Sequence, residues 1–324
     1  MPATDGTRQS PEGGLPTGGT PLVVVRTADV RPSPALTLAD ISPRLRPRDR
    51  AIAALLHEHT TLTTEQLAAI LFTNVTTARH RLHTLRRLGF LDRIVRNRPG
   101  APNPVCWLPG RLSARYMALA REENPPTAKA LQDRQDRVYA SPTLEHLLAI
   151  NDFFTALLVH ARHHPGTDLT RWWSERSTTA YFGYEVRPDA HGVWTDGHQQ
   201  TGFFLELDRG TEPISRLTDK LRAYRRLRTE GGPHYPILFA LPSRAREQNL
   251  HRRLTGRIEA GLTVATTSPE SGPDPAGPVW RLAGNGRHRL RLAELPSNHG
   301  QPGPVNPGPP EPEDHPLWRL REST

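Results

Sequence analysis

Proline placement is the strongest constraint on what this chain can fold into. Proline has a fixed φ and no amide hydrogen, so it interrupts helices and is kept out of central strands. Twenty of the 33 prolines lie in residues 1–47 and 269–324, and the other 13 are spread over the 221 residues between. This predicts loose, Pro-rich ends around a folded part at roughly 48–268, with some strand material after it. The full length of 324 residues is enough for about two domains. The single cysteine, Cys106, excludes an intramolecular disulfide and fits a reducing compartment. No apolar run reaches the length of a membrane span, and PLVVVRTADV near the start is too short for a signal peptide. A cytoplasmic protein with no membrane partner is expected.

The formal net charge is +9, and residues 41–125 carry 14 Arg against 6 acids. A localised basic excess suggests a polyanion, most often nucleic acid; the alternative is a basic surface that serves only solubility. Arg outnumbers Lys 40 to 2, a bias that reflects genome composition, so clustering is the informative feature.

Within that basic segment, PRDRAIAALLHEH starts at Pro47 with apolar residues at 52, 55 and 56. TTEQLAAILF has a Thr63 cap and apolar residues at 67, 70 and 71. In TNVTTARHRLHTLRRLGF, Asn74 can cap a third helix and Gly89 can end it. Val75, Ala78, Leu82 and Leu85 share one face. The other face carries Thr76, Thr77, His80, Thr84 and Arg87, with Arg81 at its edge. FLDRIVRNRPGAPNPVCWLP then reads as a two-stranded hairpin with Arg93, Arg96 and Arg98 on or near its tip. Three helices and a hairpin resemble the winged helix-turn-helix of bacterial regulators. That resemblance implies that the third helix enters the major groove of duplex DNA while flanking arginines hold phosphates. Protein contact alone is the other use of such a module. His57 and His59 point about 200° apart on a helix and cannot chelate together. His163 and His164 have no ligand cluster nearby and read as surface residues.

The second part begins with a mostly buried helix at 141–164. Strands follow in DLTRWWSERS, TAYFGYEVRPDAHGVW and QQTGFFLELDRG, then a helix at 213–229. HYPILFALP is a strand, SRAREQNLHRRLTG a helix and LTVATTS a strand. The order αβββαβαβ resembles the restriction-endonuclease-like core, whose motif is Pro-Asp on one strand and Asp/Glu-x-Lys on the next. Here Pro188-Asp189 is followed by Glu206-Leu207-Asp208. On the second strand Phe203, Leu205 and Leu207 take one face, and Phe204, Glu206 and Asp208 the other. Asp189 and Glu206 could converge on Mg²⁺, which takes oxygen ligands and would polarise a phosphodiester. Asp208 stands where that pattern has Lys. Lys220 lies one element later, at the border of the apolar stripe 214, 217, 221, 224 and 227, from which its ammonium could bend back over the sheet. In the bland reading, Asp189 only shapes the turn after Pro188, and Glu206 and Asp208 face solvent. Glu145 and Glu175 are weaker site candidates.

The whole pattern resembles the replication-relaxation proteins of actinobacterial plasmids and integrative elements. The residues that carry it are RPRDRAIAALLHEHTTLTTEQLAAILF, TLEHLLAINDFFTALLVHAR, RPDAHGVW and FFLELDRGTEPISRLTDKLRAY. The resemblance implies a role in plasmid replication and DNA relaxation; it carries over no catalytic residues. A tyrosine relaxase is excluded, because no His-hydrophobic-His strand is present to hold its metal.

The sequence thus predicts an α+β chain. Residues 1–42 are a disordered N-terminal segment, 43–125 the winged helix-turn-helix and 126–140 a linker. Residues 141–268 form the restriction-endonuclease-like domain, 269–295 a β-hairpin extension and 296–324 a Pro-rich tail. Two functions stay open: Mg²⁺-dependent nicking of bound duplex DNA, or a DNA-binding, transcription or partition factor whose second domain makes protein contacts. A homodimer is compatible with both.

Overall fold

Cap residues set the first helices. The computed structural model describes residues 36–96, 103–183, 186–256, 261–284 and 288–321. Helix α1 (Leu38–Ile41) precedes α2 (Pro47–His59), β1 (Leu62–Thr63), α3 (Thr64–Leu71) and α4 (Val75–Arg87). The Thr63 hydroxyl accepts from the Gln66 amide at 3.1 Å, and the Gln66 side chain accepts from the Thr63 amide at 2.8 Å. Two orphan donors are thereby satisfied reciprocally. Asn74 caps α4 by accepting from the Thr77 amide at 2.8 Å, and Gly89, at φ 71°, follows its end. Strands β2 (Leu91–Val95) and β3 (Val105–Pro109) pair antiparallel, and β1 joins the free side of β3. The hairpin tip, with Arg98, lies outside the described residues. Helices α5 (Arg111–Leu119) and α6 (Ala128–Ala140) come next, so the stretch read as a linker carries a helix with a Thr127 cap.

The rest of the chain builds a mixed seven-stranded sheet. Its elements are α7 (Leu144–His163), β4 (Thr167–Ser174), α8 (Glu175–Phe182), β5 (Ala190–Asp196), β6 (Gln199–Leu207) and α9 (Ile214–Thr229). After these come β7 (Ile237–Ala240), α10 (Arg244–Leu254), β8 (Val264–Thr267), β9 (Trp280–Leu282), β10 (Arg289–Leu290) and α11 (Trp318–Arg321). Strand order is β10-β9-β8-β7-β6-β5-β4; β6-β7 and β7-β8 are parallel, the other pairs antiparallel. The predicted order holds with one insertion. TAYF, read as strand, lies in α8, because Ser174 caps a helix there and Thr178 and Phe182, four residues apart, are both buried.

Each face of the sheet packs its own layer. Phe203, Leu205 and Leu238 pack with α7 and with the helices of the first region in one continuous core. Phe204, Ile237, Phe239 and Val264 pack under α9 and α10 in another. Two strand glycines permit this closeness: a Cβ at Gly192 would strike the Phe203 ring, and one at Gly202 the Tyr235 ring. The first region is fastened to α7 by polar bonds: Gln66 donates to the Leu148 carbonyl, Asn151 to the Thr61 carbonyl and Arg162 to the Phe72 carbonyl.

The Pro-rich tail was expected to be disordered and is instead docked. Arg171 on edge strand β4 is 1% exposed. It donates to the Gly308 carbonyl at 3.1 Å, to the Pro309 carbonyl at 3.0 Å and to Asp314 at 2.6 Å. Asp168 accepts from Arg321 at 2.8 Å and pairs with His315 at 3.1 Å, while Leu317 and Leu320 join the core shared with the first region. Composition predicts the cost of ordering this segment but not its buried arginine partner; the tail covers a sheet edge that would otherwise be open. Of the expected N-terminal disorder, residues 36–42 are described and include α1; 1–35 lie outside the described residues.

Candidate functional site

Strand alternation turns Glu206 toward α9, and helical spacing turns two α9 residues toward Glu206. Lys220 and Tyr224 are four apart and so lie on one side of that helix. Lys220 Nζ forms a short ion pair with Glu206 Oε2, and Tyr224 Oη donates to Oε1 at 2.6 Å. Glu206 is 2% exposed. Asp189, just before β5, accepts from the Leu207 amide at 2.7 Å through Oδ2, and its Oδ1 meets His146 Nε2 of α7 at 3.1 Å. Asp189 is thereby fixed beside Glu206 by the very strand that carries Glu206.

The electrostatics follow from this crowding. Burial, and then the charge of Asp189, push the Glu206 carboxyl up to about 7, against the opposing pull of Lys220. Burial works against the Lys220 ammonium, but Glu206 and Asp189 outweigh it and raise its pKa. The Tyr224 phenol is driven well up by burial and by Glu206. The hydrogen bond to Asp189 raises His146. The cluster opens to solvent on the Lys220 side, where that side chain is 37% exposed.

Asp208 does not join the group. It is held by a short ion pair with Arg246 of α10 and accepts from the Gly210 amide at 2.8 Å, which shapes the turn into α9. Glu145 pairs with Arg96 at 3.4 Å and lies 4.0 Å from Arg209, next to His146 but turned to the hairpin. Glu175 begins α8, exposed. Tyr224 and His146 were not singled out from sequence. Tyr224 carried a signal, since it stands four residues after Lys220; His146, on another element, carried none.

The donor set suits a hard cation in kind. Two carboxylates are adjacent, and burial together with the neighbouring charge raises Glu206, so a cation would relieve the repulsion. Among the described residues no group of three His, Cys, Asp or Glu is placed to hold a metal. That is compatible with Mg²⁺, which keeps several waters and often takes only one or two carboxylates.

On α4, Thr76, Thr77, His80 and Arg87 are exposed, together with Arg79 and His83. Thr84 is turned back to the His80 carbonyl at 3.0 Å. Arg81 is not available as drawn from the sequence. It makes a short ion pair with Asp49, whose side chain is fully buried, and donates to the Arg44 carbonyl at 2.8 Å. Arg93 is half-buried on β2. Arg96 donates to the Ser141 carbonyl at 3.0 Å and to Glu145, which joins the hairpin to the start of α7.

No helix among the described residues is long and apolar enough to cross a membrane. A comparison with curated proteins gave no significant match. The replication-relaxation family matches residues 54–241, from α2 through the Asp189–Glu206–Lys220 cluster to the end of β7. With more than half of its length matched, the chain belongs to the replication-relaxation family.

Proposed function

We propose that this protein acts on duplex DNA in plasmid replication and relaxation, and that its sheet domain nicks the DNA its first region holds. In this reading α2, α3, α4 and the hairpin work as a winged helix-turn-helix. α4 presents Thr76, Thr77 and His80 to base edges, and Arg87 and Arg93 meet phosphates. The observation that carries the nicking is Lys220, which comes from the helix after the strand and lands on Glu206 beside Asp189. This supplies the cation that the restriction-endonuclease-like pattern lacks at Asp208. Asp189 and Glu206 are the residues that would hold Mg²⁺, whose chemistry there is to polarise a phosphodiester. Lys220 sets a compact positive charge at the open side of the site, where a phosphate would enter. Tyr224 and His146 orient the two carboxylates. Base-edge contacts give register, and the sheet domain then meets a fixed phosphate.

One feature favours a second reading. All four carboxylate oxygens of Asp189 and Glu206 already have partners within the chain. A cluster satisfied in this way can serve as a scaffold with no catalysis. The deciding experiment is conversion of a supercoiled plasmid carrying the cognate origin, with Mg²⁺ or Mn²⁺, by wild type, Asp189→Ala, Glu206→Ala and Lys220→Met. Metal-dependent nicking that falls at least about 100-fold in all three is the expected result, in line with loss of transition-state charge stabilisation. A wild type that binds this plasmid and leaves it supercoiled would favour the scaffold.

A further inference from the structure

The basic segment 41–125 does not exhaust the positive charge. Residues 214–256 hold ten Arg and Lys against three acids, an excess of seven that the whole-chain total of +9 hides. Lys220 and Arg246 are absorbed by Glu206 and Asp208. Arg216, Arg222, Arg225 and Arg226 of α9 and Arg244, Arg252 and Arg253 of α10 are all exposed; Arg216 lies 4.0 Å from Glu212, and Arg244 donates to the Glu270 carbonyl at 3.3 Å. Arg222 and Arg226 stand four apart, a like-charge spacing that costs helix stability. Arg222, Arg225 and Arg226 lie together along the outer side of α9. Asp219 is the only acid within α9; its contact with Arg222, 3.2 Å between two largely exposed side chains, does little to offset the patch.

The position of this patch matters more than its charge. α9 and α10 cover one face of the sheet, and α7 with the first region covers the other. The two basic surfaces are therefore separated by the sheet, and the Asp189–Glu206–Lys220 cluster lies where β6 leads into α9. The large apolar side chains that are exposed among the described residues, Leu119 and Tyr181, are on neither α9 nor α10. With no aromatic platform for bases, the patch suits the backbone of a duplex better than a single strand.

We propose that the outward faces of α9 and α10 form a second, sequence-independent surface for duplex DNA, so that one molecule engages two duplex segments on opposite sides of its sheet. The proposal rests on the reading that this protein acts on DNA, and its test separates the two. The full chain is compared with a variant in which Arg222, Arg225, Arg226, Arg252 and Arg253 are each changed to Gln, and with one in which each becomes Lys. In a salt titration with a labelled duplex, the Gln variant should lose affinity, with a log–log slope shallower by about 0.9 for each phosphate contact removed. The Lys variant should keep both. In a bead assay, wild type and the Lys variant should capture a labelled duplex onto an immobilised one, and the Gln variant should fall at least about fivefold, as expected when a second contact surface no longer adds to the first. Binding and capture unchanged in the Gln variant would overturn the second surface and leave the first intact. Absence of duplex binding by wild type would overturn the DNA reading itself, and this proposal with it.

Discussion

Two ion pairs, one in each region of the molecule, look alike and do different things. Arg81 of α4 ends on Asp49 of α2, and Lys220 of α9 ends on Glu206 of β6; each joins a helix to a buried carboxylate. Arg81 also donates to the Arg44 carbonyl, and the Asp49 carboxylate also accepts from the Arg46 amide at 2.7 Å. That arrangement closes on itself and fixes how α4 sits on α2. Glu206 instead has a second carboxylate, Asp189, beside it and a half-open lysine above it. The charge of Asp189 acts on a buried Glu206, and Lys220 is the member of the group that solvent reaches most. The Arg81 pair has no like charge recorded beside it, whereas the Lys220 pair has Asp189. The largest effect expected from this contrast is on stability. Arg81→Ala should cost roughly 3–5 kcal/mol, because it leaves Asp49 buried and unpaired. Chemical denaturation reads it, and Asp49→Ala with Arg81→Ala should recover part of the loss. A cost under about 1 kcal/mol, the usual worth of a surface pair, would put the Arg81 pair in the surface class and return Arg81 to the DNA-facing set.

The tail gives the next effect in size. Arg171 spends its guanidinium on two carbonyls of the tail and on Asp314. Arg171→Ala should cost about 1.5–3 kcal/mol, the range for hydrogen bonds to a charged group, and should expose residues 296–321 to protease. A tail as resistant as in wild type would mean that Leu317 and Leu320 alone dock it.

What could be read from the sequence, and what could not, divides along the same line. Period and caps are local, so α3, α4, β2 and β3 were legible from Thr63, Asn74, Gly89 and the apolar spacing. The Glu206–Lys220 contact was legible because strand alternation and a helical stripe fix the directions of those two side chains before any tertiary contact; Asp189 was read from the Pro-Asp pair, and alternation wrongly grouped Asp208 with them. The α8 error has a local cause: Thr179, Ala180, Tyr181 and Phe182 suit a strand, and the Ser174 cap outweighed them. His146 on Asp189, Asp49 under Arg81 and the tail under Arg171 are contacts between distant elements. No periodicity announces them, and they decide which arginines are left for a partner.

A third effect separates the two regions by pH. The Glu206 carboxyl, raised to about 7, binds its proton more tightly when folded than when unfolded. Its contribution to stability is therefore present at low pH and is lost as pH rises through about 7. His59 of α2, stacked on Trp172 at 3.7 Å, is pushed down to about 4 by burial, so its contribution is lost as pH falls from the ordinary histidine range toward 4. Glu206→Gln removes the first and keeps the second. Relative to wild type, the variant should gain stability between pH 5 and about 8, which moves the pH of maximum stability upward in thermal melts. An optimum that stays in place would mean that Glu206 ionises as an ordinary carboxylate and that the cluster stores no repulsion.

The smallest effect tests the exposed side of the first region. Arg87 is exposed on α4 and donates to the Thr84 hydroxyl at 3.4 Å. As a phosphate contact, its replacement by Ala should weaken binding about equally on cognate and unrelated duplexes and make the salt slope shallower by about 0.9. Thr76 and His80, exposed near the start of the same helix, should behave otherwise. Loss of a base-edge contact costs about 1–3 kcal/mol on the cognate duplex and little on others, and leaves the slope in place. Measuring both duplexes across a salt series distinguishes the two behaviours. If Thr76→Ala and His80→Ala act like Arg87→Ala, α4 grips the backbone without reading bases, and the first region becomes a second instance of the α9–α10 surface. Any choice of DNA sequence would then have to come from a partner.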